Sequence, residues 1–329
     1  MSRRQTSNMV DTGAASEPIG VLLMAYGGPE SMSEIPGYLA DIRDGRPTTP
    51  AVLAEISRNY EAIGGRSPIS ALTRLQADGV EHALNPLGEP ARFKMYLGMR
   101  HWAPWIEDTV GQMSADGINR AVSMVLAPHY SGMSVARYQA KIADGLAMYR
   151  TTIDFAHVDS YHTAPGLIEA LSDRVRAGMA RWPDSDRESV HVLFSAHSLP
   201  ERIIRAGDPY DAQVHETAQL VADRAGVPPD RWSWSYQSAG RSPEPWLGPT
   251  YPDHLAALAS RGVRNVVSVP VGFVSDHVEV LYDIDIDGRR IAHSLGMRLE
   301  RPPSLNDDPR FVQQLALIVA DRAVAAGWM

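Results

Sequence analysis

An α/β fold is predicted, with parallel sheets flanked by helices in two similar domains. Three observations carry it. Short apolar, β-branched runs alternate with helical stretches along the chain, the pattern of strand–crossover–strand units. That alternation runs its course twice. The segments V-S-M-V-L-A-P-H-Y-S (122–131) and V-S-V-P-V-G-F-V-S (267–275) are faintly alike, as a duplication would leave them.

The first run opens with a buried strand over residues 19–25 (I-G-V-L-L-M-A) and the turn Tyr26-Gly27-Gly28-Pro29. Helices follow around 31–41 and 50–62, separated by the polar Arg43-Asp44-Gly45-Arg46-Pro47. Gly64-Gly65-Arg66-Ser67-Pro68 makes a second glycine-rich turn, with Pro68 suited to the first turn of the next helix. A strand at 93–98, a helix at 104–113 and a strand at 121–127 come next, the last ending in Pro128-His129-Tyr130-Ser131. A helix through Tyr138 leads to a fourth strand at 153–158. The second run has a helix at 167–182 and a strand at 190–196 that ends in His197-Ser198-Leu199-Pro200. It continues with a helix at 212–225, a short strand at 232–236, a Pro/Gly loop at 237–251 and a helix at 254–260. A strand from Val266, a helix at 291–296, a strand at 297–300 and a closing helix at 310–326 complete the chain. The expected domains are a disordered tail (1–18), a first domain (19–160), a second domain (161–308) and a C-terminal helix (309–329) packing back on both.

Composition narrows the function classes. The 329 residues suffice for two ordinary domains, and 44% hydrophobic with 21% charged residues is ordinary globular composition. A net charge of -8 argues against a nucleic-acid partner. Lys94 and Lys141 are the only lysines, so nearly all positive charge is arginine. Without cysteine there is no disulfide, thiolate metal site or cysteine-held iron–sulfur cluster. The first 18 residues lack the apolar core of an export signal, and no run has transmembrane length. A cytoplasmic protein is expected. No G-x-G-x-x-G fingerprint, P-loop, G-x-S-x-G elbow or H-E-x-x-H motif is present, so no nucleotide cofactor is expected.

The most informative stretch is residues 266–287, V-V-S-V-P-V-G-F-V-S-D-H-V-E-V-L-Y-D-I-D-I-D. Gly272 breaks a buried strand, and Ser275 or Asp276 offers a helix N-cap. In a helix, Glu279, Asp283 and Asp287 fall at i, i+4 and i+8 and form one row of carboxylates. Like charges at that spacing repel, so the row needs solvent or a cation. Two plainer readings stand beside it. Asp276 and Glu279 fit a capping box. Asp283 to Asp287 alternates with isoleucine, as a half-buried strand would. The strand ends also carry Tyr26, Arg100-His101, His129-Tyr130 and His197, which a parallel sheet could bring to one cleft.

These segments together resemble ferrochelatases, which insert ferrous iron into porphyrins. The resemblance rests on Ser195-Ala196-His197-Ser198-Leu199-Pro200, Tyr236-Gln237-Ser238 with Pro245-Trp246-Leu247-Gly248-Pro249, and residues 273–282, F-V-S-D-H-V-E-V-L-Y. Y-E-A-I-G-G-R-S-P (60–68) belongs to the same pattern. The fold implied is two Rossmann-like, chelatase-type domains with the cleft between them. By resemblance, His197 and Glu279 are the catalytic pair at the metal, and Asp283 and Asp287 continue a polar row from it. Met-Ala-Tyr-Gly at the first strand end is similar to the coproporphyrin-using branch, in which Tyr26 approaches the iron axially, opposite the histidine. The propionate contacts implied are Arg43, Tyr60, Ser67 and Tyr138. Asn59 stands where the branch often has arginine, so Arg58 or Arg66 is open as the source of that charge.

The implied activity is a lyase making coproheme, with Fe²⁺ and a porphyrin as substrates and no iron–sulfur cluster. A monomer is expected, with transient contacts to haem-pathway enzymes. The alternatives are a protoporphyrin IX ferrochelatase, a cobalt chelatase, a non-catalytic tetrapyrrole or metal carrier, and a small-molecule binding protein with a domain cleft. Neutral imidazole can accept a pyrrole proton or ligate iron. A file of carboxylates can hold a hydrated dication and relay protons. His129, His162 and His277 read as structural histidines, Trp232, Trp234 and Trp246 as packing, and Met24, Met95 and Met124 as core.

Overall fold

The computed structural model describes residues 17–86 and 92–329. The expected tail lies outside the described residues except for Glu17 and Pro18. The first half comprises β1 (Ile19–Ala25), α1 (Ile35–Ile42), α2 (Pro50–Ala62), α3 (Ile69–Leu84), β2 (Phe93–Met99), α4 (Ile106–Ala115), β3 (Arg120–Val125), α5 (Val135–Met148) and β4 (Asp154–Val158). The second comprises α6 (Pro165–Met179), α7 (Asp184–Arg187), β5 (Val190–His197), α8 (Glu201–Arg205), α9 (Tyr210–Ala225) and β6 (Trp232–Gln237). It continues through α10 (Tyr251–Ser260), β7 (Asn265–Val269), α11 (Val278–Leu281), α12 (Arg289–Ser294), β8 (Arg298–Glu300) and α13 (Pro309–Ala325).

The strands form two four-stranded sheets of the same topology, β2-β1-β3-β4 and β6-β5-β7-β8, parallel throughout. β3 and β7 are the equivalent third strands, which gives the likeness of 122–131 to 267–275 a structural meaning. The central strands β1 and β5 are apolar along nearly their whole length because both sheet faces are covered. One core draws Val21 and Leu23 of the first sheet together with Val192 and Phe194 of the second.

Helix starts follow local chemistry. The Thr49 hydroxyl accepts from the Val52 amide, and Pro50 occupies the first turn of α2. Thr250 and Asp308 cap α10 and α13 in the same way. α13 buries Phe311, Val312, Leu315, Ala316, Val319 and Ala323 along one stripe. Its neighbours are α3 and α6, one from each half. The approach to α3 is close: a Cβ on Gly79 would lie 2.7 Å from Val312 Cγ1.

The expected elements are present within a few residues, with two local differences. α4 begins at Ile106, not Pro104. The short helices α7 and α8 had no expected counterpart, since four or five residues are too few to show a period.

The larger correction concerns residues 275–288. Neither Ser275 nor Asp276 caps a helix; His277 is the N-cap, with no side-chain cap bond. Ser275 Oγ pairs with Gln76, and the Asp276 carboxylate with Arg301 and Asn306. The capping-box reading therefore fails, and so does the strand reading of 283–287. α11 is only four residues long and passes into a π-helical turn, Asp283–Gly288, in which the Asp287 amide donates to the Tyr282 carbonyl at 2.9 Å. The even i, i+4, i+8 row is accordingly widened.

Candidate active site

The carboxyl ends of β1, β3, β5 and β7 open on one cavity of about 330 Å³. Parallel sheets place their ligands at this end. The lining includes Tyr26, Tyr60, Ser67, Arg100, His129, Tyr138, His197, His277 and Glu279.

His197 is the last residue of β5, and its Nδ1 lies 2.8 Å from Glu279 Oε2. The loop leading to Glu279 passes tightly over β5. A Cβ on Gly272 would lie 2.6 Å from Ala196 Cβ, so only glycine lets it cross. Ser195 Oγ donates to Gln237 Oε1 at 2.7 Å, and Gln237 Nε2 then donates to the Glu279 carbonyl at 2.8 Å. Tyr210 Oη donates to the His197 carbonyl at 3.0 Å. Both members of the pair are thus held through their backbones, leaving the side chains to the cavity.

The two side chains keep about a third of their surface open, 32% and 31%. Burial alone would lower the His197 pKa; the Glu279 carboxylate, with Asp283 beyond, outweighs it and holds the imidazole above its ordinary value. Burial likewise opposes ionisation of Glu279, but His197 and His277 overcome it and its pKa is lowered. A proton taken up by His197 is therefore stabilised by the carboxylate facing it.

Asp283 behaves differently. Burial, with Glu279 and Asp287 adding like charge against the opposing Ser238 hydrogen bond, raises it to about 7. Ser238 Oγ donates to Asp283 Oδ2, from a backbone held in the left-handed region at φ 57°. Asp283 can therefore exchange a proton near neutrality. Asp287 is turned to Arg290 Nη2 at 2.6 Å. Among the described residues, no three His, Asp or Glu side chains are grouped to hold a metal ion. Of the expected metal set, Tyr26, His197 and Glu279 line the cavity, whereas Asp283 and Asp287 lie outside its lining.

Tyr26 follows β1 and lies against His101, ring centroids 4.5 Å apart. Burial first, then the Glu279 and Asp41 charges, push its phenol up to about 12 despite Arg100. Tyr60 and Tyr138 are buried, at 2% and 4% exposure, and burial raises both phenols. Ser67 lines the wall beside Gly28. Arg43 and Asn59 lie outside the lining; Arg43 donates to the Pro47 carbonyl at 3.2 Å. Arg58 and Arg66 are outside it too, and Arg100 is its one cation among the described residues.

The sequence reading left several lining residues without a role. Arg100 sits 5.5 Å from the Tyr138 ring centre. His129 and His277, read as structural, both face the cavity, whereas His162 does not. Trp246, read as packing, also lines it. His129 and Arg100 had one usable signal, their position at strand ends; Gln237 and Ser238 had only their motif.

Comparison with known proteins decides the family. The ferrochelatase family model matches residues 18–323. This chain belongs to the ferrochelatase family. Ferrochelatases insert iron into porphyrins for haem, so iron is a substrate here. The chain is 57% identical to a ferrochelatase of Deinococcus radiodurans, over 93% of this chain and 96% of that one. It is 42% identical to the coproporphyrin III ferrochelatase of Bacillus subtilis, over 92% and 96%. Among solved structures, SirB from Bacillus subtilis with Fe³⁺ shares the two-domain fold at 11% identity and a TM-score of 0.57, covering 94% of this chain and 97% of that one. No helix of the described residues is long and apolar enough to cross a membrane.

Proposed function

We propose that this ferrochelatase uses coproporphyrin III and releases coproheme, with His197 and Glu279 as the catalytic pair. The observation that carries the reading is Tyr26, in the same cavity wall system as the His197–Glu279 pair. A phenol there can meet the ring on the face away from the imidazole. The 42% identity to the Bacillus subtilis protein supports the same choice.

Insertion must remove two pyrrole protons and strip water from Fe²⁺. Neutral His197 accepts a proton, and Glu279 stabilises the imidazolium formed. Asp283 next in line takes protons outward or receives the partly hydrated ion, its hard oxygens suiting a dication. Arg100, Tyr60, Ser67 and Tyr138 supply donors for ring carboxylates through charge-assisted or hydroxyl hydrogen bonds.

An anaerobic absorbance assay tests this. Fe²⁺ is mixed with coproporphyrin III or protoporphyrin IX, using wild type, His197→Ala and Tyr26→Met. Fast metallation of coproporphyrin alone, lost in His197→Ala, is expected. Preference for protoporphyrin would sink the coproporphyrin assignment. Tight porphyrin binding with no acceleration over the uncatalysed rate would make the protein a carrier.

A further inference from the structure

The segment bearing Glu279 and Asp283 is tied down by a charge network behind the cavity wall. Its centre is Arg301, just beyond β8 and only 6% exposed. The guanidinium forks onto Asp285, with Nε 2.9 Å from Oδ1 and Nη2 2.6 Å from Oδ2. Nη1 donates to Asp276 Oδ1 at 2.9 Å and to the Pro302 carbonyl at 3.0 Å. Asp276 also accepts from Asn306 Nδ2 at 2.9 Å, and its amide donates to Asn306 Oδ1 at 2.9 Å. Gln76 of α3 joins the network from the other half, donating to the Asn306 carbonyl at 2.7 Å. A single buried cation thus holds one carboxylate ahead of Glu279 and another just after Asp283. Neither Asp276 nor Asp285 lines the cavity.

We propose that Arg301 is a positioning residue for iron insertion, clamping Asp276 and Asp285 so that the π-helical turn presents Glu279 and Asp283 together. The proposal rests on the reading that these two carboxylates serve the metal and its protons.

The physical case has three parts. A π-helical turn is rare and has to be held by its surroundings. Asp285 is the middle aspartate of this one, and the planar fork fixes its direction in a way a lysine ammonium would not. With Asp285 drawn to Arg301, Asp283 is left to Ser238 and Asp287 to Arg290. Three closely spaced aspartates are thereby sorted onto three partners. Asp285 also has Arg289 at 3.8 Å, an exposed and longer contact without fork geometry.

The test uses Arg301→Lys, Asp285→Asn and the double variant, with Glu279→Gln alongside. Initial rates are measured with Fe²⁺ varied at saturating coproporphyrin III. Porphyrin affinity comes from fluorescence quenching, and folding from circular dichroism. The expected result is a tenfold or greater fall in kcat/KM for Fe²⁺ in each single variant, with porphyrin Kd within twofold of wild type. The double variant should be no worse than the poorer single one, since both break one fork. If Arg301→Lys does not fold, Asp285→Asn carries the same expectation, because it leaves Arg301 paired to Asp276. Folded variants with wild-type iron kinetics beside an inactive Glu279→Gln would overturn the clamp alone. So would an equal loss of iron and porphyrin binding, which marks general loosening. A fully active Glu279→Gln would sink the clamp together with the reading beneath it.

Discussion

Replacing Asp283 by asparagine should stabilise the fold at pH 8 while slowing iron insertion. The folded carboxyl ionises at about 7, against an ordinary value of 3.8. The folded state therefore binds this proton more tightly than the unfolded chain. Below about pH 4 both states are protonated and Asp283 carries no penalty. As pH rises from 4 to 7 the unfolded chain gives up the proton first, and the wild type loses stability; above 7 the loss is complete. At 1.36 kcal/mol per pH unit the full difference is about 4 kcal/mol, and local relaxation brings it to about 2–4 kcal/mol. Asparagine never ionises and can still accept from Ser238. For 329 residues at about 2.1 cal/mol/K each, that gain corresponds to a Tm higher by roughly 3–6 °C at pH 8. Thermal melts of both proteins at pH 5, 6, 7 and 8 give the result directly. The difference in Tm should grow with pH and level off above 7. A difference that is flat with pH, or one that favours the wild type at pH 8, would refute the reasoning. The rate of insertion should fall about 100-fold or more, the usual scale for losing a proton-transfer group.

His129→Gln should leave the shape of the pH–rate profile between pH 5 and 9 unchanged, because burial, with His162 nearby, holds this imidazole down at about 3 and keeps it neutral throughout; a moved limb would put His129 in the proton path. Phe311→Ala should cost about 3–5 kcal/mol in urea unfolding, since this ring is fully buried on α13; a loss below about 1 kcal/mol would mean that α13 does not join the two halves.

Much of this architecture could be read from the chain, for physical reasons that vary by element. β1 and β5 are covered on both faces, so β1 appears as an unbroken apolar run and β5 as one interrupted only by His191 and Ser195 before His197. α2 was bounded to the residue because Pro50 marks its start. Strand ends gave the location of the cavity, since parallel sheets leave little choice. The region 275–288 departs from its expected geometry. Local rules assigned Ser275 and Asp276 to a cap. Partners at 76, 301 and 306 took those side chains instead, and no local window contains them. The π-helical turn was invisible for the same reason: what holds Asp285 comes from beyond β8. Arg43 and Asn59 were named from a motif alone, and both lie outside the cavity lining.

The two strand-end histidines show why position alone does not assign chemistry. His129 and His197 follow or end parallel strands and line one cavity. Burial presses both toward the neutral form. His129 has the Thr217 hydroxyl at 2.9 Å and His162 nearby, but no carboxylate, and its pKa is lowered. Thr217 itself donates to backbone carbonyls, so it offers His129 an acceptor and no charge. His197 meets Glu279, and its pKa is raised. A carboxylate 2.8 Å away, with Asp283 beyond it, thus reverses the sign of the shift. A base that must take a pyrrole proton and hold it needs that reversal. Any variant that neutralises Glu279 should therefore drop His197 toward the behaviour of His129, even with every other contact of β5 intact.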